Sequence, residues 1–302
     1  MQGEGFDRSR LEFLPVASRL SKLEIAEVAV GPETPVPDPG AAAEVLDRTA
    51  ERILEARSRG APVVICHGAH LVRNGLGPLL GEMVREGWLQ HVATNGAGSI
   101  HDWEFAFLGR TCEDVESYIS KGQFGMWEET GAHIGRALLS GALDGLGYGE
   151  SIGRMIVDER LGIPARAELL GIVEEGAGGG PGSASRAAAA ADLLEAMESA
   201  GLEAGEVSLA HPHSSMSLQA ACYHHGARFT VHPGIGQDII YPHPLLSGGA
   251  LGRASMTDFL LYADTISRLE GGVYLSVGSS VMSPMIFEKS LSMARNLACR
   301  AG

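Results

Sequence analysis

The sequence predicts an α/β fold with a doubly wound, mostly parallel sheet. Short apolar runs rich in β-branched residues recur along the chain, each follows a helical pattern, and each ends in a polar turn. Parallel strands are buried on both faces and so appear as continuous apolar runs, and strands that alternate with helices form such sheets. The 302 residues, 45% of them hydrophobic, are enough for a core of this size.

Two regions are predicted along the chain. Residues 1–40 form an irregular N-terminal arm, because the four prolines between residues 32 and 39 do not fit a regular helix or a central strand. Residues 41–302 form a single α/β domain, because no composition shift or repeat divides them.

The predicted strands cover residues 62–66, 91–94, 207–210, 228–232 and 273–277. Helices are predicted over residues 41–59, 71–86, 111–121, 126–143, 150–161, 185–200, 215–225, 255–269 and 283–297. The glycine-rich segment 176–185 is expected to be a mobile loop or a lid.

The composition narrows the classes of partner. The net charge is −14, and lysines and arginines do not cluster, so a nucleic-acid partner is not expected. No apolar stretch approaches 18 residues and the N-terminus lacks a signal sequence, so we expect a cytoplasmic protein without a membrane partner. Four widely spaced cysteines argue against a disulfide framework. An acidic surface is compatible with a small cationic substrate.

The residues that follow each strand are the candidates for function, because ligands of parallel sheets bind beyond the carboxyl ends of the strands. Two of these turns are rich in glycine and hydroxyl groups, residues 94–98 and 278–280. Glycine lets the backbone approach a ligand closely, and a following helix offers free N–H groups to a phosphate. Both turns therefore indicate dinucleotide or phosphate binding.

Histidines and carboxylates lie in the same turns. His101, Asp102 and Glu104 combine a candidate base with two carboxylates, and Asp102 could also cap a helix. A metal site is an alternative, with His211, His213, His232 and Asp238 as its ligands; hydrogen-bonded turn histidines explain the same pattern without a metal.

Four segments in order resemble the deoxyhypusine-synthase-like family, over roughly residues 60–295. They are PVVICHGAHLVRNGLGPLL, GWLQHVATNGAGSIHDWEFAFLG, RFTVHPGIGQDIIYPHP and EGGVYLSVGSSVMSPMIFEKS. The second segment is also similar, more distantly, to the NAD-dependent ornithine cyclodeaminase domain.

The resemblance implies a Rossmann-like, deoxyhypusine-synthase-type NAD-binding fold, NAD as the cofactor, and a homo-oligomer, typically a tetramer. It assigns substrate binding to Asp238. The cofactor-binding residues that we predict are His70, Asn74, Gly75, Thr94, Asn95, Gly96, Gly98, Asp102, Gly278, Ser279 and Ser280.

The chain departs from the family at one position. A lysine of true deoxyhypusine synthases forms an imine with the substrate, and Ser292 stands in its place here, with Lys289 three residues earlier. Transfer of an aminobutyl group to a protein lysine is therefore not expected.

The leading expectation is an NAD-dependent enzyme that removes hydride from a small amine or amino acid, followed by transfer, cyclisation or deamination. His101 or His243 would act as the base, and Asp238 with Glu104 would hold the substrate cation. The alternatives are a metal-assisted hydrolase or lyase and a non-catalytic dinucleotide sensor.

Overall fold

The computed structural model describes residues 6–301 and contains eight strands. They are β1 Ser21–Glu24, β2 Val63–His67, β3 His91–Thr94, β4 Arg110–Glu113, β5 Arg160–Ile163, β6 Gly205–Ser208, β7 Arg228–Val231 and β8 Val273–Val277. The α-helices are α1 Ile25–Val28, α2 Ala43–Ser58, α3 Ala69–Arg73, α4 Gly77–Arg85, α5 Gly96–Leu108, α6 Val115–Ile119, α7 Glu128–Leu143, α8 Tyr148–Asp158, α9 Arg166–Ala177, α10 Ser183–Ser199, α11 Leu218–His225, α12 Gly248–Ser267 and α13 Met282–Ala301.

Four strands form a parallel sheet in the spatial order β7-β3-β2-β8. Ile65 of β2 pairs with Val92 on one side and Leu275 on the other. Counted along the chain, β2, β3, β7 and β8 are the first to fourth strands of the sheet, so their order is 3-2-1-4. This is the strand order of a Rossmann-like fold, and it confirms the predicted parallel α/β class.

Helices cover both faces of this sheet. Val63 and Ile65 pack on one face in the large core that includes residues of α3, α4, α5, α8 and α11. Val64 and Cys66 point to the other face, where they pack with residues of α12 and α13. Successive strand residues point to opposite faces, so β2 is apolar throughout because both faces are covered. The doubly wound arrangement is confirmed.

The predicted strand at residues 207–210 does not join the parallel sheet. β6 instead pairs antiparallel with β5 in a separate two-stranded sheet. Most of β6 is exposed to solvent, with only Val207 partly buried. A strand with one half-buried residue lacks the continuous apolar run of a buried parallel strand, and this explains the error.

The predicted helix at residues 111–121 is also wrong in its first part. Gly109 ends α5 in the left-handed conformation, and the chain returns as β4 before the short helix α6 begins. β4 pairs antiparallel with β1. The N-terminal arm therefore contains a strand, whereas its proline-rich part, residues 29–39, contains no helix or strand.

Other boundaries differ where a residue adopts a positive φ. Gly75, at φ +87°, separates α3 from α4 within the helix predicted at 71–86. Glu159, at φ +52°, ends α8, and β5 follows. The glycine-rich segment is shorter than expected, because residues 178–182 alone connect α9 with α10. Within residues 6–301, no helix is both long and apolar enough to cross a membrane.

Candidate active site

The carboxyl ends of β2 and β8 meet at the point where the chain leaves the sheet in opposite directions. After β2 the chain enters α3 on one face, and after β8 it enters α13 on the other face. Adjacent strands whose following helices lie on opposite faces leave a crevice between them, and open α/β sheets bind ligands in it. We call this crevice the switch point, and it is bounded by residues 67–70 and 277–280.

Backbone forms the walls of the switch point. The N–H of Gly68 donates to the carbonyl of Val277 at 3.0 Å, and a Cβ on Gly68 would lie 2.0 Å from the carbonyl oxygen of Gly278. Gly278 has φ +63°, and a Cβ there would meet nothing within 4 Å. Glycine at residue 68 thus permits the contact, and Gly278 borders open space. Of the predicted cofactor residues, His70, Gly278, Ser279 and Ser280 lie here.

The turn before α5 holds a second group of predicted residues. Asn95 caps α5 by accepting the N–H of Gly98 at 2.9 Å, and Thr94 donates to the backbone of His67 at 3.1 Å. A Cβ on Gly96 would lie 2.1 Å from Oδ2 of Asp238. The carboxylate of Asp238 therefore lies against the N-terminus of α5, in the place that the sequence suggested for a phosphate.

A cavity of about 240 Å³ opens beside this turn. Its volume is near the lower end of the range of small-molecule sites, roughly 300–1,000 Å³. The polar residues of its wall are Arg19, Arg73, His101, Glu104, Cys112, Glu113, Gln237 and Asp238. A neighbouring cavity of about 490 Å³ shares Asp238 and is lined in part by residues of the N-terminal arm. The structure therefore brings together three of the four predicted catalytic residues, His101, Glu104 and Asp238.

His101 is held by a short chain of hydrogen bonds that fixes its tautomer. The hydroxyl of Thr111 donates to Glu104, and Nδ1 of His101 lies 2.7 Å from that hydroxyl oxygen. Since the hydroxyl proton goes to the carboxylate, Nδ1 carries a proton and donates. Nε2 is then the acceptor nitrogen of neutral His101, whose side chain is 20% exposed and borders the cavity.

Glu104 is itself bound on both oxygens. Nη1 of Arg19 donates to Oε1 at 2.6 Å, and both side chains are 1% exposed. Burial raises the pKa of Glu104, but the charge and hydrogen bond of Arg19, together with the neighbouring His101, outweigh this effect and hold that pKa at about 2. Glu104 is therefore a permanent anion already paired with Arg19, and its predicted role as a ligand of the substrate cation does not agree with this pairing.

Asp238 differs from Glu104 because no cation lies within ion-pair distance of it in residues 6–301. The hydroxyl of Tyr241 lies 3.4 Å from Oδ2, and the backbone N–H of Ala97 lies near the carboxylate. Burial raises the pKa of Asp238 to about 6, although these two donors oppose the shift. A cationic ligand would satisfy this carboxylate.

Two of the predicted cofactor residues serve the fold instead. Asp102 is fully buried and accepts hydrogen bonds from Ser217, Leu218 and Gln219 at the start of α11, so it caps that helix rather than its own. A Cβ on Gly75 would lie 1.9 Å from the carbonyl oxygen of Val28, so Gly75 packs against the N-terminal arm.

His243 lies outside the cavity wall. Its Nε2 is 3.4 Å from Glu128, and its Nδ1 accepts the N–H of Leu245 at 3.2 Å, so neither ring nitrogen is free. The ring also packs on Phe13 of the N-terminal arm. Of the two predicted bases, only His101 faces the cavity, and Asn74 lies exposed at the end of α3.

The side chains that the sequence suggested as metal ligands do not lie close together. His211 accepts the indole N–H of Trp103 at 3.1 Å, and His232 packs on Tyr262 on the α12 face of the sheet. Within residues 6–301, no three side chains of the metal-binding types form a group that could hold an ion.

Sequence reasoning missed three residues of the site. Arg73 lies in the polar segment that follows β2, at the end of α3, where its charge in an acidic chain was a usable signal. Arg19 and Thr111 reach the site through contacts with Glu104, and Arg19 is 85 residues away along the chain. No local pattern marks such contacts.

Comparison with known proteins gives a fold likeness only. No protein-family model and no curated protein matches the chain. One similar solved structure is ArgZ, an arginine dihydrolase of the cyanobacterial ornithine–ammonia cycle, at 14% identity over 82% of this chain and 25% of that chain, with a TM-score of 0.39. Another is AgrE in complex with ornithine and NAD+, at 14% identity over 84% of this chain and 27% of that chain, with a TM-score of 0.40.

A third is a conserved LOR/SDH protein from Methanococcus maripaludis S2, at 14% identity over 96% of this chain and 60% of that chain, with a TM-score of 0.36. The chain thus spans about a quarter of the ArgZ and AgrE chains. None of these three is a deoxyhypusine synthase, and at TM-scores below 0.5 they place the chain in no family.

Proposed function

We propose that this protein is an NAD-dependent enzyme that oxidises a small cationic amine or amino acid at its amine-bearing carbon. One observation carries the proposal. The wall of a single cavity contains both a carboxylate without a cationic partner, Asp238, and an oriented acceptor nitrogen on His101. A carboxylate binds an ammonium group, and a neutral imidazole accepts its proton. Oxidation of an amine needs both functions.

The switch point is the proposed place of the dinucleotide. The carboxyl ends of β2 and β8 leave open space beside Gly278, and α13 begins just beyond them. Backbone N–H groups of residues 278–280, with Ser279 and Ser280, would hold the pyrophosphate, and His70 borders the same crevice. Bound there, NAD+ would supply a hydride acceptor. Of the two predicted phosphate turns we favour this one, because Asp238 fills the other.

The roles of the chain's own residues follow from their contacts. Asp238 binds the substrate ammonium group, and Nε2 of His101 accepts a proton from the amine nitrogen. Glu104 and Thr111 orient His101 through the hydrogen bonds that link the three side chains. The N-terminal arm lines part of the neighbouring cavity.

Replacement of Asp238 tests the proposal. Asp238→Asn keeps the shape but removes the charge, so the KM for the amine should rise about 100-fold while the affinity for NAD+ stays the same. The control is Asp47→Asn, which changes an exposed carboxylate on α2. L-ornithine and L-arginine are the first substrates to try, with NADH absorbance as the signal. Unchanged kinetics in Asp238→Asn would reject the substrate role.

The proposal leaves out transfer to a protein lysine of the deoxyhypusine-synthase type. Lys289 is exposed on α13 and pairs with Glu288 at 3.3 Å, and Ser292 is exposed as well. Neither side chain borders the cavity.

We also propose a reducing compartment, the cytoplasm, because all four cysteines are free. Reduction with a thiol reagent should therefore leave the thermal stability of the protein unchanged.

A homo-oligomer is proposed as well, with a tetramer as the expected form. Edge strand β8 is flanked by α2 and α13, which expose Val45, Leu46, Leu54, Met285, Met293 and Leu297. The accessible area is 15474 Å², whereas a compact monomer of this mass exposes about 12,000 Å². The chain thus exposes more surface than a compact monomer does, and the difference is larger than the roughly 800 Å² that each partner buries in a stable interface. Light scattering should give a multiple of 31.7 kDa; a monomer at micromolar concentration would contradict it.

A further inference from the structure

We propose that the cavity contains a carboxylate subsite built on Arg73, so that the substrate is an amino acid rather than a simple amine or a polyamine. This inference rests on the proposed function for its reaction, and on the cavity alone for its ligand.

Arg73 carries a guanidinium group that has no partner within residues 6–301. It is half-buried at the end of α3, and its Nε is fully buried without an acceptor. Within residues 6–301 the side chain makes no ion pair and donates no hydrogen bond, although Asp and Glu outnumber Lys and Arg by 37 to 23. Buried donors are normally hydrogen-bonded, so the unbonded Nε and the unpaired charge of Arg73 indicate an anionic ligand.

Arg19 supports the same conclusion from the next part of the wall. Its Nη1 is bound to Glu104 and its Nε to Ser21 at 3.3 Å, but its Nη2 is buried without an acceptor. The residue is 2% exposed and belongs to the wall of this cavity. Because Glu104 neutralises its charge, Arg19 adds a hydrogen-bond donor to the subsite and Arg73 adds the net positive charge.

The arrangement of charges favours an amino acid. Asp238 and Arg73 border the same cavity, yet their charged atoms are farther apart than an ion pair, beyond 4.0 Å. Each charge is therefore left for a ligand, and the ligand that satisfies both carries an ammonium and a carboxylate. A diamine would bring its second ammonium group towards Arg73, where like charges repel. A guanidinium also binds a carboxylate through two parallel hydrogen bonds.

Matched pairs of ligands test the subsite by calorimetry without any cofactor. The pairs are L-ornithine with 1,4-diaminobutane, and L-lysine with 1,5-diaminopentane, which differ only by the carboxylate. We expect the amino acid of at least one pair to bind about 100-fold more tightly than its diamine. Arg73→Met should remove this preference, and Arg73→Lys should retain part of it. Arg48→Met, on the exposed surface of α2, should leave it unchanged.

The possible results separate the subsite from the proposed function. A carboxylate preference that depends on Arg73, in a protein that does not bind NAD+, would support the subsite and reject the enzyme. NAD-dependent oxidation of diamines at least as efficient as that of amino acids would support the enzyme and overturn the subsite. Equal affinity within each pair, equal affinity in Arg73→Met of wild-type thermal stability, or no binding by any of these ligands would also overturn it.

Discussion

At the scale of single residues, the site depends on which polar groups are already satisfied. Glu104 and Asp238 are both carboxylates in the wall of one cavity, but only Glu104 is paired with an arginine. The two carboxylates therefore differ in their contacts: Glu104 binds Thr111 and, through it, His101, whereas Asp238 has no cationic partner within residues 6–301 and is the substrate ligand that we propose. Equivalent residue types acquire different roles from their partners.

Removal of the Thr111 hydroxyl tests this division. Thr111→Val takes away the hydrogen bond that orients His101, so kcat should fall about 10- to 100-fold while the KM for the amine changes less than about threefold. Thr111→Ser keeps the hydroxyl and should retain most of the activity. If the valine and serine variants lose the same activity, Thr111 acts through packing and not through His101.

At the scale of elements, a single buried carboxylate joins three of them. Asp258 of α12 accepts the N–H of Val231 at the end of β7 at 2.7 Å and the N–H of Gly149 in the first turn of α8 at 3.0 Å. Its other oxygen is buried and has no hydrogen-bond partner in the part of the chain that the structure describes. Burial raises the pKa of Asp258 to about 8, against the effect of these two donors.

This raised pKa predicts a pH dependence of stability. The folded state binds the proton of Asp258 up to about pH 8, whereas an unfolded aspartate releases it near pH 4. Asp258 thus lowers the free energy of unfolding as pH rises through this window, by a few kcal/mol at most, since a tenfold change in proton affinity corresponds to about 1.4 kcal/mol. Urea denaturation at several pH values gives the free energy of unfolding at each pH. This free energy should fall less steeply with rising pH in Asp258→Asn than in the wild type. Parallel pH profiles would contradict this role.

Elements also show what the sequence could predict. β3 and β8 were predicted with the correct bounds, because both runs are rich in apolar residues and both belong to the parallel sheet, in which β3 is buried and β8 is a partly exposed edge strand. β4 was predicted as a helix, because its pairing with β1 is a contact between segments almost ninety residues apart. The ends of the four strands of the parallel sheet were therefore located to within one residue, whereas the strand at residues 207–210 and the contribution of the N-terminal arm to the site were not predicted correctly.

At the scale of the whole molecule, the strand order 3-2-1-4 places two sites at one edge of the sheet. The switch point lies beyond β2 and β8, and the cavity with Asp238 lies beyond the neighbouring strand β3. Arg73 stands at the end of the helix that follows β2, so the chain after this strand borders both. A cofactor and a substrate bound at these two places would be neighbours.

The sequence motifs pointed to this edge without resolving the two sites. Gly96 and Gly98 looked like a phosphate turn, but the first faces Asp238 and the second faces Thr94. The sequence shows that a residue is glycine, but it does not show whether a ligand or a protein side chain occupies the space beside that residue. Only the three-dimensional contacts distinguish these cases.

Calorimetric titration with NAD+ tests the central claim most directly. The wild type should bind NAD+ with a Kd of roughly 1 μM to 1 mM, the usual range for enzyme ligands. Ser280→Asp places a negative charge on the exposed turn at the switch point and should weaken binding at least about tenfold through repulsion of the pyrophosphate. Ser292→Asp, exposed farther along α13, is the matched control and should bind as the wild type does. Absence of NAD+ binding, or equal binding by the two variants, would contradict the account.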